Sequence, residues 1–281
     1  MEVPRQPHTG LATVTLLFAG KIDHIDSTGF SNTVKPAEVN LMIAGSGVSH
    51  SEFSQPASRV LHGVQLWYAL PDALRFGQPG SQHHVADSQT VPGGRVWTYL
   101  GACAGMRSPV DTCVSVLAAQ VQVEAGQQVT LDVPDDYELG VLVDSGQARV
   151  GTTTSPEAGG TAVAARELTY VAPGCRTLSI AATGNEDVRA VLIGGAPLEE
   201  QIVMWWNFVA RSHDEIVAFR KAWQAEIGRA AEGGNGSAED VEAEFVMPAE
   251  AAEMDFGPFP AGTPEALPAP RLPNARLRPR T

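Results

Sequence analysis

The chain has 281 residues, 43% of them hydrophobic and 18% charged, enough apolar material for one large domain or two ordinary ones with real cores. A formal net charge of -13 argues against a surface for nucleic acid or anionic membrane, which would need clustered Lys and Arg. Glycine (28) and proline (20) are frequent, which favours many turns and short strands over long helices.

From Thr13 to about Glu200 the pattern is strand, turn, strand. ATVTLLFAGKIDHIDS alternates up to a turn at Ser27, Thr28 and Gly29. VNLMIAGSGVSHSEF and RVLHGVQLWYALP follow, each bounded by Gly, Pro, Asn or Ser. After a Gly- and Pro-containing stretch a second series begins: VSVLAAQVQVEAGQQVTLDVP, YELGVLVDSGQARVG, RELTYVAPG, RTLSIAATG and VRAVLIGG. Two all-β blocks in tandem predict two β-sandwich domains of jelly-roll type. One helix is predicted in SHDEIVAFRKAWQAEIGRAAEGG. Ser212 and Glu215 make a capping box, Ile216, Phe219, Trp223 and Ile227 form an apolar stripe, and Gly233 and Gly234 stop it. The stripe suits packing on a sheet, and Met204, Trp205 and Trp206 just before it suit interdomain packing. From about Glu232 an acidic, Gly-rich stretch reads as a mobile linker. A Pro-rich segment with Arg271, Arg276, Arg278 and Arg280 follows, expected to be extended and at least partly unanchored, with Phe256 and Phe259 as possible anchors.

Cys103, Cys113 and Cys175 are odd in number and far apart, which predicts reduced thiols rather than a disulfide frame or a zinc site. The N-terminus has no apolar core of signal-peptide type, and no apolar run is long enough to span a bilayer. The expected location is cytoplasmic.

Chemistry concentrates in His8, His50 and Glu52. In a strand, residues two apart point to the same face, so His50 and Glu52 aim together, and Gln6 aims with His8. Two imidazoles and a carboxylate suit Fe, Mn, Ni, Cu or Zn, and are the set that non-heme Fe(II) oxygenases use. The same residues also suit ordinary polar positions of a strand. His24 reads as a strand residue near a turn. His62 is either a group beside the cavity that orients a ligand or a satisfied polar residue at the core edge. His83 and His84 are expected in solvent, and His213 in the first turn of the helix. The second block has no histidine between His84 and His213, so it cannot hold a His-based metal site.

The segments QPHTGLATVTLLFAGKIDHIDS, KPAEVNLMIAGSGVSHSE and LHGVQLWYALP resemble the pirin family of bicupins. The likeness continues to GGAPLEEQIVMWWNFVARSHDEI and covers roughly residues 4 to 228. The resemblance implies an all-β chain of two cupin domains face to face. It divides the chain into an N-terminal cupin (1–105), a C-terminal cupin (106–200) that closes the face of the first, a linker and helix (201–231), and a flexible tail (232–281). It implies a metal, usually iron, held in the first cupin by an HPH pair and an HSE pair. His8 matches the second histidine of HPH, and His50 and Glu52 match HSE. Gln6 falls where the first histidine would be, a weaker, neutral amide ligand. The site is then either looser for its metal or decayed to a metal-free remnant. Family members carry further strands before HPH, so either a truncated sequence with a start placed too far downstream or a shortened domain is expected. Two kinds of function are implied. One is a flavonol (quercetin) 2,3-dioxygenase with Fe(II), or another divalent transition metal, and Glu52 as both ligand and base. The other is a non-catalytic, metal- or redox-sensitive regulator whose partner is a protein.

Overall fold

The computed structural model describes residues 1–152, 160–230, 246–249 and 254–279. Contacts divide the chain into two compact units, Met1–His83 with Leu198–Thr281, and His84–Pro197. The first unit opens with β1 (Glu2–His8), β2 (Leu11–Ala19), β3 (Ile22–Asp26), β4 (Ser31–Val34), β5 (Glu38–Ile43), β6 (Val48–Ser54), β7 (His62–Ala69) and β8 (Gly80–Val85). They make two four-stranded sheets, ordered β1-β6-β3-β4 and β7-β2-β5-β8. Leu11, Val14, Leu16, Val39 and Leu41 bury the second sheet. β3 shows why the first sheet matters. Its buried positions alternate through Ile22, His24 and Asp26, so the inward face changes from apolar to ionisable within one strand. Between β1 and β2, Gly10 sits at φ +66°, and a Cβ there would lie 2.2 Å from the Val209 carbonyl oxygen. Glycine therefore admits the later segment whose Val209 N–H donates to Thr9 O at 3.1 Å.

The second unit contains β9 (Ser88–Val91), β10 (Gly94–Leu100), a short hairpin of β11 (Ala102–Cys103) and β12 (Met106–Arg107), β13 (Val116–Val123), β14 (Gln128–Asp132), β15 (Glu138–Ser145), β16 (Ala148–Thr152), β17 (Thr161–Val163), β18 (Leu168–Val171), β19 (Thr177–Ala182) and β20 (Val188–Gly195). Sheets ordered β18-β15-β20-β13-β10-β9 and β14-β19-β16-β17 enclose a core of Val, Leu, Ile, Ala and two cysteines. Burial alternates cleanly along β14, β15 and β19, as the period-two pattern of their sequences requires.

The chain then returns to the first unit through β21 (Val203–Trp205), β22 (Phe208–Ala210) and α1 (His213–Glu226). Ser212 caps the helix by accepting from the Glu215 N–H. The Glu215 carboxylate does not complete a box. It accepts instead from the Arg211 N–H at 2.9 Å, one residue before the cap, and from Arg75 at 2.6 and 3.2 Å. Ile216, Phe219 and Trp223 are fully buried, and Trp205 and Trp206 pack against the same cluster. No helix among the described residues is long and apolar enough to cross a membrane.

Four expectations need correction. The helix ends at Glu226, before Gly233 and Gly234, because Gly228 takes φ +73° and the Arg229 N–H closes onto Gln224 O at 2.7 Å. The boundary expected near residue 105 falls at His83, because β10 hydrogen-bonds to β13 and carries β9 with it. The Pro-rich segment is not free: Phe256 is buried against Trp223, the Trp223 indole donates to Leu267 O at 2.8 Å, and Arg220 donates to Pro270 O at 2.6 Å. The acidic linker and Arg280 lie outside the described residues. His83 and His84, expected in solvent, are half-buried on β8, with His83 Nε2 3.6 Å from Glu38.

Candidate metal centre

One strand pairing assembles the site. On β6, His50 and Glu52 share the inward face. β1 places Gln6 directly opposite His50, with His8 two pairs further along, opposite Val48. On the other side of β6, β3 places His24 opposite Glu52 and Asp26 opposite His50. Six polar side chains thus occupy one patch of one sheet, all buried except Gln6, which is half-buried. From the second sheet of the same unit, Gln65 on β7 donates to both Glu52 oxygens at 2.8 and 3.0 Å, and Thr15 on β2 adds a longer contact at 3.4 Å. These bonds hold the carboxylate in place. Atoms of His24, His50 and Glu52 lie within 4.8 Å of one another. His8 Nε2 and His50 Nε2 are 3.0 Å apart.

The three histidines divide into two kinds. Burial pushes His8 down to about 4, outweighing its hydrogen bond to Asn207 O, and burial with the nearby His8 and His24 pushes His50 well below its ordinary value. Both are neutral imidazoles. Burial also opposes a charge on His24, but its hydrogen bonds to Asp26 and Glu52 prevail and raise its pKa. Burial likewise opposes ionisation of Asp26, yet bonds from His24, Ser81 and Thr28 lower its pKa. His24 Nε2 and Asp26 Oδ2 lie 3.2 Å apart, both buried.

The donor set fits a metal at His8 and His50 better than at His24. His8 Nδ1 lies 3.1 Å from Asn207 O, which fixes its proton there and leaves the Nε2 lone pair facing His50. Gln6 Oε1 accepts from Asn207 Nδ2 at 2.9 Å, which turns the Gln6 amide N–H towards His50 Nε2 at 3.2 Å. His50 then also presents a lone pair at Nε2, while its Nδ1 is buried without a hydrogen-bond partner. Two facing lone pairs 3.0 Å apart match the spacing of neighbouring ligands around one ion at about 2.1 Å. Both ring nitrogens of His24, by contrast, face carboxylates.

The family-model comparison matches residues 1–68 to Pirin and residues 118–227 to the Pirin C-terminal cupin domain. A Pseudomonas aeruginosa protein provisionally assigned as a quercetin 2,3-dioxygenase is 35% identical over 233 residues, covering 82% of this chain and 71% of its own. The chain belongs to the pirin family. A pirin-like protein of Caulobacter vibrioides is 32% identical over 80% of this chain and 76% of its own. The crystal structure of quercetin 2,3-dioxygenase from Acinetobacter baumannii aligns with a TM-score of 0.80 at 27% identity, covering 99% of this chain and 81% of that one. Both sandwiches are thus cupins.

Within that pirin frame, the structure brings Gln6, His8, His50 and Glu52 to one face; their spacing predicts each pair, and the pairing of β1 with β6 joins the two. It excludes His62, which is exposed on β7 with its ring against Phe18. Sequence reading gave His24 too little weight and missed Asp26 and Asn207 as partners. The first two follow the same two-apart rule as His50 and Glu52, since IDHID puts both on one face. Asn207 lies 199 residues from His8 in the chain, and no local pattern announces it.

Proposed function

We propose that the first cupin binds one divalent transition metal, Fe(II) by the chemistry of its ligands, through His8, His50 and Glu52, with Gln6 in the fourth position. The observation that carries this reading is the approach of two imidazole Nε2 atoms to 3.0 Å beside a carboxylate fixed by Gln65. The activity that suits such a site is flavonol (quercetin) 2,3-dioxygenation, the activity named for two of the relatives. When bound, the metal would act as a Lewis acid and template for the deprotonated flavonol and for O2. The chain supplies the rest. Glu52 is positioned as the base that takes the flavonol hydroxyl proton, with its orientation set by Gln65 and Thr15. His24 stands between Asp26 and Glu52, its ring nitrogens 3.2 and 3.7 Å from their carboxylates. Asn207 holds the tautomer of His8.

A second reading is favoured by Gln6 alone. Its amide N–H, not its oxygen, faces His50, so the fourth position as oriented repels a cation. On that reading the protein binds metal weakly and works by association with a protein partner rather than by turnover. Anaerobic loading with Fe(II), followed by addition of quercetin and oxygen, separates the two. Consumption of quercetin that depends on iron and disappears in Glu52→Gln supports the dioxygenase. Metal-dependent association with a partner without turnover supports the regulator. No iron uptake under any condition removes both and leaves a metal-free remnant.

A further inference from the structure

Arg5 and Ser49 immediately precede Gln6 and His50, so they lie on the opposite face of the sheet from the metal centre. That outer face is not open to solvent. Arg5 Nε donates to Ser49 Oγ at 2.9 Å, and its Nη2 donates to Phe256 O at 2.6 Å and to Glu226 at 3.0 Å. Its guanidinium stands 5.3 Å from the Trp223 ring and 5.1 Å from the Phe259 ring. Ser49 Oγ donates to the same Phe256 carbonyl. The Leu267 N–H donates to Arg5 O at 2.8 Å, on the edge of β1 that has no neighbouring strand. One arginine therefore ties together β1, β6, α1 and the Pro-rich segment.

β1 needs such a tie. It is an edge strand, and Pro4 and Pro7 remove two of its donors. Its pairing with β6 slips between Val3 and Gln6, so the residues just before the ligand positions form a bulge. Just before β6 the same segment packs closely: a Cβ on Gly47 would meet the Phe256 ring at 3.1 Å. A bulged edge strand with few ladder bonds does not by itself hold an imidazole to the tolerance a metal demands.

We propose that Arg5, locked by the docked Pro-rich segment, is a positioning residue that sets the spacing of β1 against β6 and hence the affinity of the metal centre. The segment is a strap across the back of the ligand strands, and metal binding depends on its seating. This inference rests on the metal reading above. Arg5 touches no ligand atom; it acts through the strand pair.

The test is anaerobic Fe(II) titration of the full chain against a chromophoric chelator, combined with amide exchange. Arg5→Ala and Phe256→Ala are compared with wild type and with Val39→Ala. Val39 is buried on β5 of the other sheet, so this variant controls for lost stability alone. The expected result is affinity about tenfold or more weaker in Arg5→Ala and Phe256→Ala, and unchanged in Val39→Ala at a similar loss of Tm. Arg5→Lys, which keeps the charge but loses the fork, falls between. Amides of residues 2–8 exchange faster in Arg5→Ala while those of β3 do not. Wild-type affinity in both strap variants, or an equal loss in Val39→Ala, overturns the proposal. If wild type takes up no iron, the metal reading fails, and unchanged exchange of β1 in Arg5→Ala then overturns the strap independently.

Discussion

The two units are built alike and filled differently. Each is a pair of antiparallel sheets, but of the 20 buried polar or charged residues described, only Thr98 and Ser108 belong to the second unit. Its interior is a run of aliphatic side chains with two cysteines. The first unit buries His8, His24, Asp26, His50 and Glu52 on one face of one sheet. Apolar area stabilises the second unit directly. The first carries a desolvation cost in the same place and offsets it by pairing each charge. The architecture is therefore not what confers chemistry; the identity of a few inward positions does.

The comparison can be broken most severely from the second unit. Val141 is fully buried in its core, and Val141→Glu would place a charge there with no partner. A loss of about 3–5 kcal/mol or more is expected, read from urea unfolding. Asp26→Ala strikes the first unit in the opposite way, by removing the hydrogen-bond partner of the buried His24 ring. It also strips the acceptor used by the Thr28 and Ser81 hydroxyls. About 3–5 kcal/mol is again expected, and a far smaller loss would mean that His24 is uncharged. Gln6→His sharpens the comparison by completing the polar face. Fe(II) affinity should rise on the order of tenfold, measured by chelator competition, and an unchanged value would show that position 6 is not a ligand slot. The smallest effect concerns thiols. Burial pushes Cys103 up to about 11, and Cys175 is also buried, whereas Cys113 is exposed. Iodoacetamide at pH 8 should label Cys113 alone in the folded chain and all three thiols in urea.

Much of this was legible in the chain because it is local. The period-two rule places His50 with Glu52 and Gln6 with His8 without knowledge of the fold, and the absence of histidine from the second block settles which unit can hold an imidazole site. The strands of the second unit follow from the same alternation. What escaped was long-range. Asn207 reaches His8 and Gln6 only because the chain returns to the first unit after the second is complete. The boundary was misplaced for a similar reason: β10 lies before the expected boundary in sequence but pairs with β13 beyond it, and carries β9 with it. The Pro-rich segment looked unanchored because proline removes the donors a sheet would use. It docks instead through carbonyls that accept from Trp223, Arg220 and Arg5.

The polar face of the first unit is the proposed metal site. Iron per chain after anaerobic Fe(II) loading and desalting tests it most directly, with wild type beside His50→Ala. Near one iron per chain in wild type and none in His50→Ala is the expected result. Wild type without iron, or iron retained in full by His50→Ala, would contradict it.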